Sequence, residues 1–325
     1  MNDNRINLVL IGTSLGEESD QVVRSGLALA RAAGARVFLV HAVQNDPMLV
    51  GYELGAGHVL EHELMARCGE ELRGQIEKLE LGAPELAGSM VQVGAPHRIL
   101  TEIAQEIGAD LIVVGATGSG PFAAELLGST ADRVLRKVSC PVLIVRGELP
   151  VPPLRVLAPV DLSCLSGDSF RCGLRLLAQL AGSAGIRVRT IHALSLMDAL
   201  VFRQRTGTSV EEAERQAAAR LRQFVLENRS DVPFAVEAAV RPGEPRVEIL
   251  RELEEHPADL LILGTQGRGG MDRLMLGSVA STVARKAPCS VLVISPEAAL
   301  DEGIAEAIRC QTEPSWHPEP VAAGT

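Results

Sequence analysis

Aromatic residues are scarce in this 325-residue chain, where Phe, Trp and Tyr together make up 2% of the sequence. A core must then be filled by Val, Leu, Ile and Ala, as is common where helices cover both faces of a parallel sheet. The scarcity also leaves few rings on which nucleic-acid bases could stack. Apolar residues still reach 46% and charged residues 22%, a balance typical of folded globular proteins.

The chain also lacks an excess of positive charge, and its formal net charge is -10. Proteins that bind DNA or RNA non-specifically do so by neutralising phosphates with many Lys and Arg residues. The charge balance therefore predicts that nucleic acid is not a partner of this chain.

The sequence also lacks a membrane-spanning run and the apolar region of a signal peptide. No apolar run approaches the roughly 20 residues needed to cross a bilayer, and the first residues lead into a strand-like segment without the apolar region of a signal peptide. We expect a cytoplasmic protein without membrane contact. The six cysteines show no C-x-x-C spacing, which argues against a zinc ribbon or a redox pair and favours buried thiols.

A metal site has weak support in the sequence. His58 and His62 lie four residues apart on a predicted helix with Cys68 nearby. A closed tetrahedral site needs a fourth ligand, which the pattern does not supply. We therefore predict no metal site.

The chain repeats itself. A shift of 149 residues superposes polar, glycine and cysteine positions of the first half on those of the second. The superposed pairs are Gly12 and Asp161, Ser14 and Ser163, Gly94 and Gly243, Asp110 and Asp259, Gly115 and Gly264, Gly118 and Gly267, Gly128 and Gly277, Ser129 and Ser278, and Cys140 and Cys289. The repeat predicts two copies of one domain, residues 1–147 and 154–296, joined by a short linker with three prolines.

Each copy alternates short apolar runs with amphipathic segments, which predicts a five-stranded, doubly wound parallel sheet of the Rossmann-like α/β type. The last strands are predicted at Val142–Arg146 and Val291–Ile294. Both are rich in β-branched residues and would be aggregation-prone as bare edges, so we expect them to pair in an internal pseudo-dimer. A further homodimer is compatible with the sequence. Residues 296–309 could add a helix, and residues 311–325 are expected to be a disordered tail.

One glycine pattern follows the fourth strand of the second copy, with the spacing Gly264-x2-Gly267-x9-Gly277-Ser278. It is neither the dinucleotide motif G-x-G-x-x-G nor the P-loop G-x4-G-K-[ST]. The order is strand, glycine-rich loop and helix N-terminus. Glycines let the backbone approach a ligand, and the first amides of a helix attract anions. The alternative is that these glycines only close turns.

The spacing resembles the nucleotide loop of the universal stress protein family, G-x2-G-x9-G-[ST], in which backbone amides hold the phosphates of ATP. The resemblance extends over both copies. It implies the adenine nucleotide alpha hydrolase-like form of the predicted fold, an adenine nucleotide as ligand, with Mg²⁺ as an optional companion ion, and a regulatory role in stress response.

The resemblance also implies which residues of the second copy contact the nucleotide. Asp161 follows the first strand, where a carboxylate could accept hydrogen bonds from ribose hydroxyls. The full set is Pro159, Asp161, Ala193, Gly264, Gly267, Arg268, Gly277, Ser278 and Val279. Other readings stay open: Asp161 as a turn residue, Ser278 as a helix N-cap and Arg268 as a solvated charge. We interpret His41 and His192, which end equivalent strands, as structural.

The first copy retains the glycine cradle as Gly115, Gly118, Gly128, Ser129 and Thr130. In the superposition above, Gly12 stands where the second copy has Asp161. Ser119 and Pro121 replace Arg268 and Gly270 in the loop. We therefore expect weaker nucleotide binding in the first copy than in the second.

Three functions remain compatible with these residues. The first is a nucleotide-binding regulatory protein, and the second is an enzyme that hydrolyses or otherwise uses ATP. The third is a scaffold module of the same fold that acts through partner contacts without nucleotide. No S-G-G-x-D-S motif and no base–nucleophile pair accompanies either loop, which disfavours the enzyme.

Overall fold

The computed structural model describes residues 5–44, 56–82, 84–116, 127–182, 185–207, 209–229, 231–266, 276–295 and 298. These residues form ten strands and nine helices, which alternate along most of the chain. The strands are β1 Leu8–Thr13, β2 Arg36–Val43, β3 Leu86–Val93, β4 Leu111–Gly115, β5 Val142–Val145, β6 Arg155–Pro159, β7 Arg187–Leu194, β8 Ala235–Pro242, β9 Leu260–Gly264 and β10 Ser290–Ile294.

The helices are α1 Glu17–Ala33, α2 Ala56–Lys78, α3 Pro96–Ile107, α4 Ser129–Val134, α5 Cys164–Ala181, α6 Leu196–Thr206, α7 Val210–Asn228, α8 Pro245–Glu255 and α9 Ser278–Lys286. Most were expected within a few residues, since amphipathic periodicity locates helices better than it locates their ends. The expected helix over residues 296–309 and the expected tail lie outside the described residues.

All ten strands belong to one sheet, in the order β3-β2-β1-β4-β5-β10-β9-β6-β7-β8. Within each half the neighbouring strands are parallel, as expected for strands linked by helices. The chain first moves outward from β1 to β2 and β3, then crosses to β4 on the other side of β1. The direction of winding therefore reverses between β1 and β4, and between β6 and β9 in the second half.

The two halves join through their last strands. β5 and β10 pair antiparallel, with Val142 opposite Val293 and Leu143 opposite Leu292. Side chains here are almost fully buried, so the joint forms part of the core. The pairing that the β-branched last strands predicted is present, and it protects two apolar edges that would otherwise be open.

Hydrophobic cores cover both faces of the sheet and run across both halves. On one face α1, α2, α5 and α7 contribute Val23, Leu72, Leu174 and Leu221. On the other face α3, α4, α8 and α9 contribute Ile99, Ala131, Ile249 and Val283. Because each core contains residues from both copies, the sheet and its helices pack as one continuous unit.

Helix α6 was not expected from the sequence. Ala199 and Phe202 are buried, but Leu196 and Met197 are each 68% exposed, so its buried apolar positions are too few to mark a helix in the sequence. The local signal was a cap: the Ser195 hydroxyl accepts a hydrogen bond from the Asp198 amide at 3.1 Å. A Ser followed three residues later by an acidic residue marks a helix start, and attention to that pair would have located α6.

The register of the first strand corrects the superposition of the two copies. Val9 lies opposite Leu111, whereas Val156 lies opposite Leu260. Since Leu111 and Leu260 are equivalent, Val9 corresponds to Val156, two residues away from the partner that the uniform shift assigned. By this register Gly12 corresponds to Pro159 and not to Asp161.

Candidate functional site

Each half contains a crevice where the winding direction reverses, at the carboxyl ends of its strands. In the second half β9 ends at Gly264, and the Gly277 amide donates to the Thr265 carbonyl at 2.7 Å. The start of α9 is thereby held beside the end of β9. The first half repeats this arrangement, with the Gly128 amide donating to the Ala116 carbonyl at 2.6 Å. In α/β sheets such crevices are where ligands bind.

The structure brings together several of the predicted site residues and leaves others undescribed. The Gly277 amide, just before Ser278, donates to the carbonyl of Thr265, the residue after Gly264. Gly115, Gly128, Ser129 and Thr130 line one cavity. The remaining loop residues, Gly118, Gly267 and Arg268, lie outside the described residues, as do Ser119 and Pro121.

Gly277 adopts an ordinary backbone conformation, with φ of -57°. Glycine is favoured here by the space available and not by the backbone conformation. A Cβ added to Gly277 would lie 3.1 Å from the Thr265 carbonyl oxygen, and one added to Gly264 would lie 3.0 Å from the Ser169 hydroxyl oxygen. Both glycines allow the strand end, α5 and α9 to approach closely.

The N-terminus of α9 carries no side-chain cap. Gly277 is the N-cap residue, and Ser278 is the first residue of the helix. The alternative reading of Ser278 as the N-cap is therefore wrong. Helix N-termini without a capping side chain leave their first amides to solvent or a ligand. Val279 follows in the same turn and packs partly against the core.

Asp161 shapes the turn between β6 and α5. Its Oδ1 accepts hydrogen bonds from the Ser163 amide at 2.9 Å and from the Ser163 hydroxyl at 2.6 Å. Ser163 in turn caps α5 by accepting from the Ser166 amide. The turn role that the sequence left open is thus present, and it fixes the orientation of this half-buried carboxylate.

Ser14 occupies the position of Asp161 in the first half. Leu15 and Leu162 both have φ of 64°, and the N-caps Gly16 and Ser163 follow them directly. The expectation that the first copy has only Gly12 at this position is wrong. A hydroxyl stands there, which is a neutral hydrogen-bonding group in place of a charged acceptor. The uniform shift failed because the two copies differ in length between their first strands and their glycine loops.

Pro159 and Ala193 lie at the same edge of the sheet. Pro159 ends β6 opposite Ile191, and Ala193 lies two residues further along β7. The preceding residue, His192, is buried, and its Nδ1 lies 3.0 Å from the Val160 carbonyl oxygen. The His41 ring makes the equivalent contact with the Thr13 carbonyl oxygen at 2.9 Å. These contacts tie adjacent strand ends together and agree with a structural role for both histidines.

The first crevice opens into a cavity of about 1320 Å³. Its lining includes Ser14 and the cradle residues Gly115, Gly128, Ser129 and Thr130. Arg146, Arg285 and Lys286 also line it, and the last two belong to α9 of the second half. Sequence reasoning missed all three cations. The signal was indirect: antiparallel pairing of β5 with β10 places the residues that precede β10 beside the end of β5.

Arg146 and Arg285 are held by specific contacts. The Arg146 Nη2 donates to the carbonyls of Ala284 and Arg285, each at 2.9 Å, and so caps the end of α9. Burial lowers the pKa of the Arg146 guanidinium. Arg285 pairs with Asp132 of α4 at 3.0 Å. Burial raises the pKa of Asp132, but hydrogen bonds from Arg136 and Arg285 outweigh it, so that the pKa is lowered overall.

Comparison with known proteins agrees with this geometry. The sequence model of the universal stress protein family matches residues 6–146 and 154–295, which is most of the chain. The chain belongs to the universal stress protein family. A universal stress protein of Mycobacterium tuberculosis is 27% identical over 296 residues, covering 88% of this chain and 96% of the relative.

Solved structures share the fold of this universal stress protein. A universal stress protein from Archaeoglobus fulgidus is 21% identical with a TM-score of 0.61, covering 91% of this chain and 100% of the other. A functionally unknown protein from Pseudomonas aeruginosa is 18% identical with a TM-score of 0.64, covering 91% and 95%. At these identities the likeness shows the fold alone.

One cluster in this universal stress protein has the composition of a metal site, among the side chains that the structure describes. Glu252, Glu255 and His256 bring their ligating atoms together. Glu252 is fully buried, however, and already accepts hydrogen bonds from Arg189 and Arg241. Two guanidinium groups on the same carboxylate offset the charge that would attract a cation, so the cluster is an ion-pair network that joins β7, β8 and α8.

No helix in the described part of this universal stress protein combines the length and apolar character needed to cross a membrane.

Proposed function

We propose that this universal stress protein binds adenine nucleotides in its two crevices, with ATP as the ligand and Mg²⁺ as an optional companion ion. The observation that carries the proposal is the N-terminus of α9, which has no side-chain cap and begins beside the end of β9 where the winding direction reverses. Helix amides in this position attract phosphate groups. Membership of the universal stress protein family supports the same ligand.

The proposed contacts divide the nucleotide into three parts. Asp161 accepts hydrogen bonds from the ribose hydroxyls, and the backbone at Pro159 and Ala193 borders the adenine. The phosphates meet the loop and the helix start: Gly264, Gly267, Arg268, Gly277, Ser278 and Val279 in the second half, and Gly115, Gly118, Gly128, Ser129 and Thr130 in the first.

We infer a regulatory role in stress response, in which bound nucleotide alters conformation or partner binding. Catalysis is disfavoured because the sequence carries no nucleophile–base pair beside either glycine loop. Mass spectrometry of the protein as purified tests the ligand directly. We expect an adenine nucleotide to copurify, and a preparation free of nucleotide that also fails to bind added ATP would contradict the proposal.

Replacing Gly277 with Val should abolish ATP binding in the second half. The new side chain would begin 3.1 Å from the Thr265 carbonyl oxygen and would push the start of α9 away from the end of β9. It would also fill the space in which the phosphates approach the helix amides. Isothermal titration calorimetry of the full chain measures the number of sites and their affinities.

Gly128→Val is the matched control, because it makes the same change in the first half. Each variant should lose one site and keep the other, and thermal unfolding verifies that each remains folded. Gly277→Ala provides a milder second variant. Undiminished ATP binding at both sites in folded Gly277→Val would rule out this site.

A further inference from the structure

Basic residues outnumber acidic residues around the cavity of the first half. Among its described lining residues are Arg146, Arg285 and Lys286 on the basic side and Glu18 on the acidic side. The chain as a whole carries a net charge of -10, so the cavity is a local reversal of the overall charge. Clefts lined by one sign of charge concentrate ligands of the opposite sign.

Two of these cations come from the other copy of the domain. Arg285 and Lys286 are the last residues of α9, which belongs to the second half. They reach the first cavity because β10, which follows α9, pairs antiparallel with β5 at the joint. Neither residue belongs to the glycine motif of the first copy, and that motif would not predict them.

The end of α9 is fixed in position beside the cavity. Arg146 donates to the carbonyls of Ala284 and Arg285, and Arg285 pairs with Asp132 of the first half. Contacts of this kind reduce the conformational freedom that a charged side chain would lose on binding a ligand. The buried Nε of Arg146 has no hydrogen-bond partner among the described residues.

We propose that Arg285 and Lys286 of the second half bind the phosphate chain of a nucleotide held in the first half. The inference rests on the proposed nucleotide function and refines its ligand: the first cavity selects a nucleoside polyphosphate over a nucleoside. Under this proposal the nucleotide site of the first half depends on the pairing of β5 with β10, because both halves supply residues to that site.

Lys286→Gln in the full chain tests the inference. Arg285 is less suitable for substitution, because its loss would also remove an ion-pair partner of the Asp132 carboxylate. ATP affinity at the first site should fall by roughly 1.5- to fivefold, the size expected for one largely exposed cation. Adenosine affinity should stay unchanged, because adenosine carries no phosphate. Lys286→Arg should restore most of the ATP affinity.

Lys137→Gln is the matched control, since Lys137 occupies the equivalent position after α4 and does not line the cavity. It should leave the first site unchanged. In a Gly128→Val background, Lys286→Gln should have no further effect on ATP binding. Unchanged ATP affinity in Lys286→Gln would overturn the inference, and so would equal losses for ATP and adenosine, which indicate a structural defect.

Inorganic tripolyphosphate separates this inference from the proposed function. If ATP binds but Lys286→Gln has no effect, the inference fails and the nucleotide function stands. If ATP does not bind but tripolyphosphate binds in a Lys286-dependent manner, the function fails and the anion-binding cavity stands. If neither compound binds, both are overturned.

Discussion

At the scale of single residues, Asp161 shows how a structural contact and a proposed binding role can share one side chain. The Oδ1 atom organises the turn through Ser163, and the proposed role is acceptance of ribose hydroxyls. Substitutions that preserve the turn but change the charge can separate the two roles.

Asp161→Asn is such a substitution, because the amide oxygen can still accept from the Ser163 amide. Charge-assisted hydrogen bonds contribute about 1.5–3 kcal/mol and neutral ones about 0.5–1.5 kcal/mol. We therefore expect ATP affinity at the second site to fall about tenfold, with little change in thermal stability. Calorimetric titration and thermal unfolding of the same samples measure both quantities.

Ser14→Ala is the counterpart in the first half and should reduce affinity there by tenfold at most, since only a neutral hydrogen bond is lost. The earlier reason for a weaker first site, an acceptor missing at Gly12, does not hold. Asp161 still favours the second site, whereas Lys286 has an equivalent in the other half, Lys137, so that cation does not rank the two sites. If Asp161→Asn lowers the melting temperature and leaves ATP affinity unchanged, Asp161 is a turn residue only.

At the scale of secondary-structure elements, Glu252 joins α8, β7 and β8. It lies on α8, is fully buried, and binds Arg189 of β7 and Arg241 of β8. His256, just beyond the end of α8, adds a third partner for Glu252 at 3.1 Å. Removing one member of a buried ion pair leaves the opposite charges uncompensated.

Glu252→Ala should therefore lower the free energy of unfolding by about 3 kcal/mol, the lower end of the range for broken buried pairs because both arginines are partly exposed. Urea denaturation followed by circular dichroism measures the change. Glu255→Ala is the matched control on the same helix, where the exposed carboxylate pairs with Arg241, and it should have little effect. Equal effects of the two substitutions would refute the importance of the buried network.

The sequence predicted some strands and helices more accurately than others. The last strands β5 and β10 were located to within one residue at each end, since each is a compact run of Val, Leu and Ile. Helix α6 was missed because too few of its apolar residues are buried. The superposition of the first strands of the two copies was wrong by two residues. The correct match depends on strand register, which is set by hydrogen bonds to a neighbouring strand about a hundred residues away along the chain.

At the scale of the whole molecule, the antiparallel joint lets the two halves share one hydrophobic core. Leu292 is 5% exposed and belongs to a core cluster that contains residues of both halves. Cooperative unfolding is expected where a single core is shared in this way. We predict one urea transition for the full chain, with β1 and β6 losing hydrogen-exchange protection together.

Leu292→Ala should destabilise both halves at once, by about 2–5 kcal/mol, as buried Leu→Ala substitutions do. The measurement is hydrogen exchange of β1 and β6 amides by mass spectrometry, which reports each half separately. Leu226→Ala is a suitable control because Leu226 is 66% exposed. Two resolved transitions, or loss of protection in the second half alone, would show that the halves fold independently.

By itself, the sequence determined the fold class, the two copies and the pairing of their last strands. Those features depend on local periodicity, on glycine positions and on internal similarity, all of which can be read along the chain. Only the tertiary structure decided that Ser14 corresponds to Asp161 and that Arg285 and Lys286 line the first cavity. Both depend on which segments distant in sequence lie side by side in the sheet, and strand pairing sets that juxtaposition.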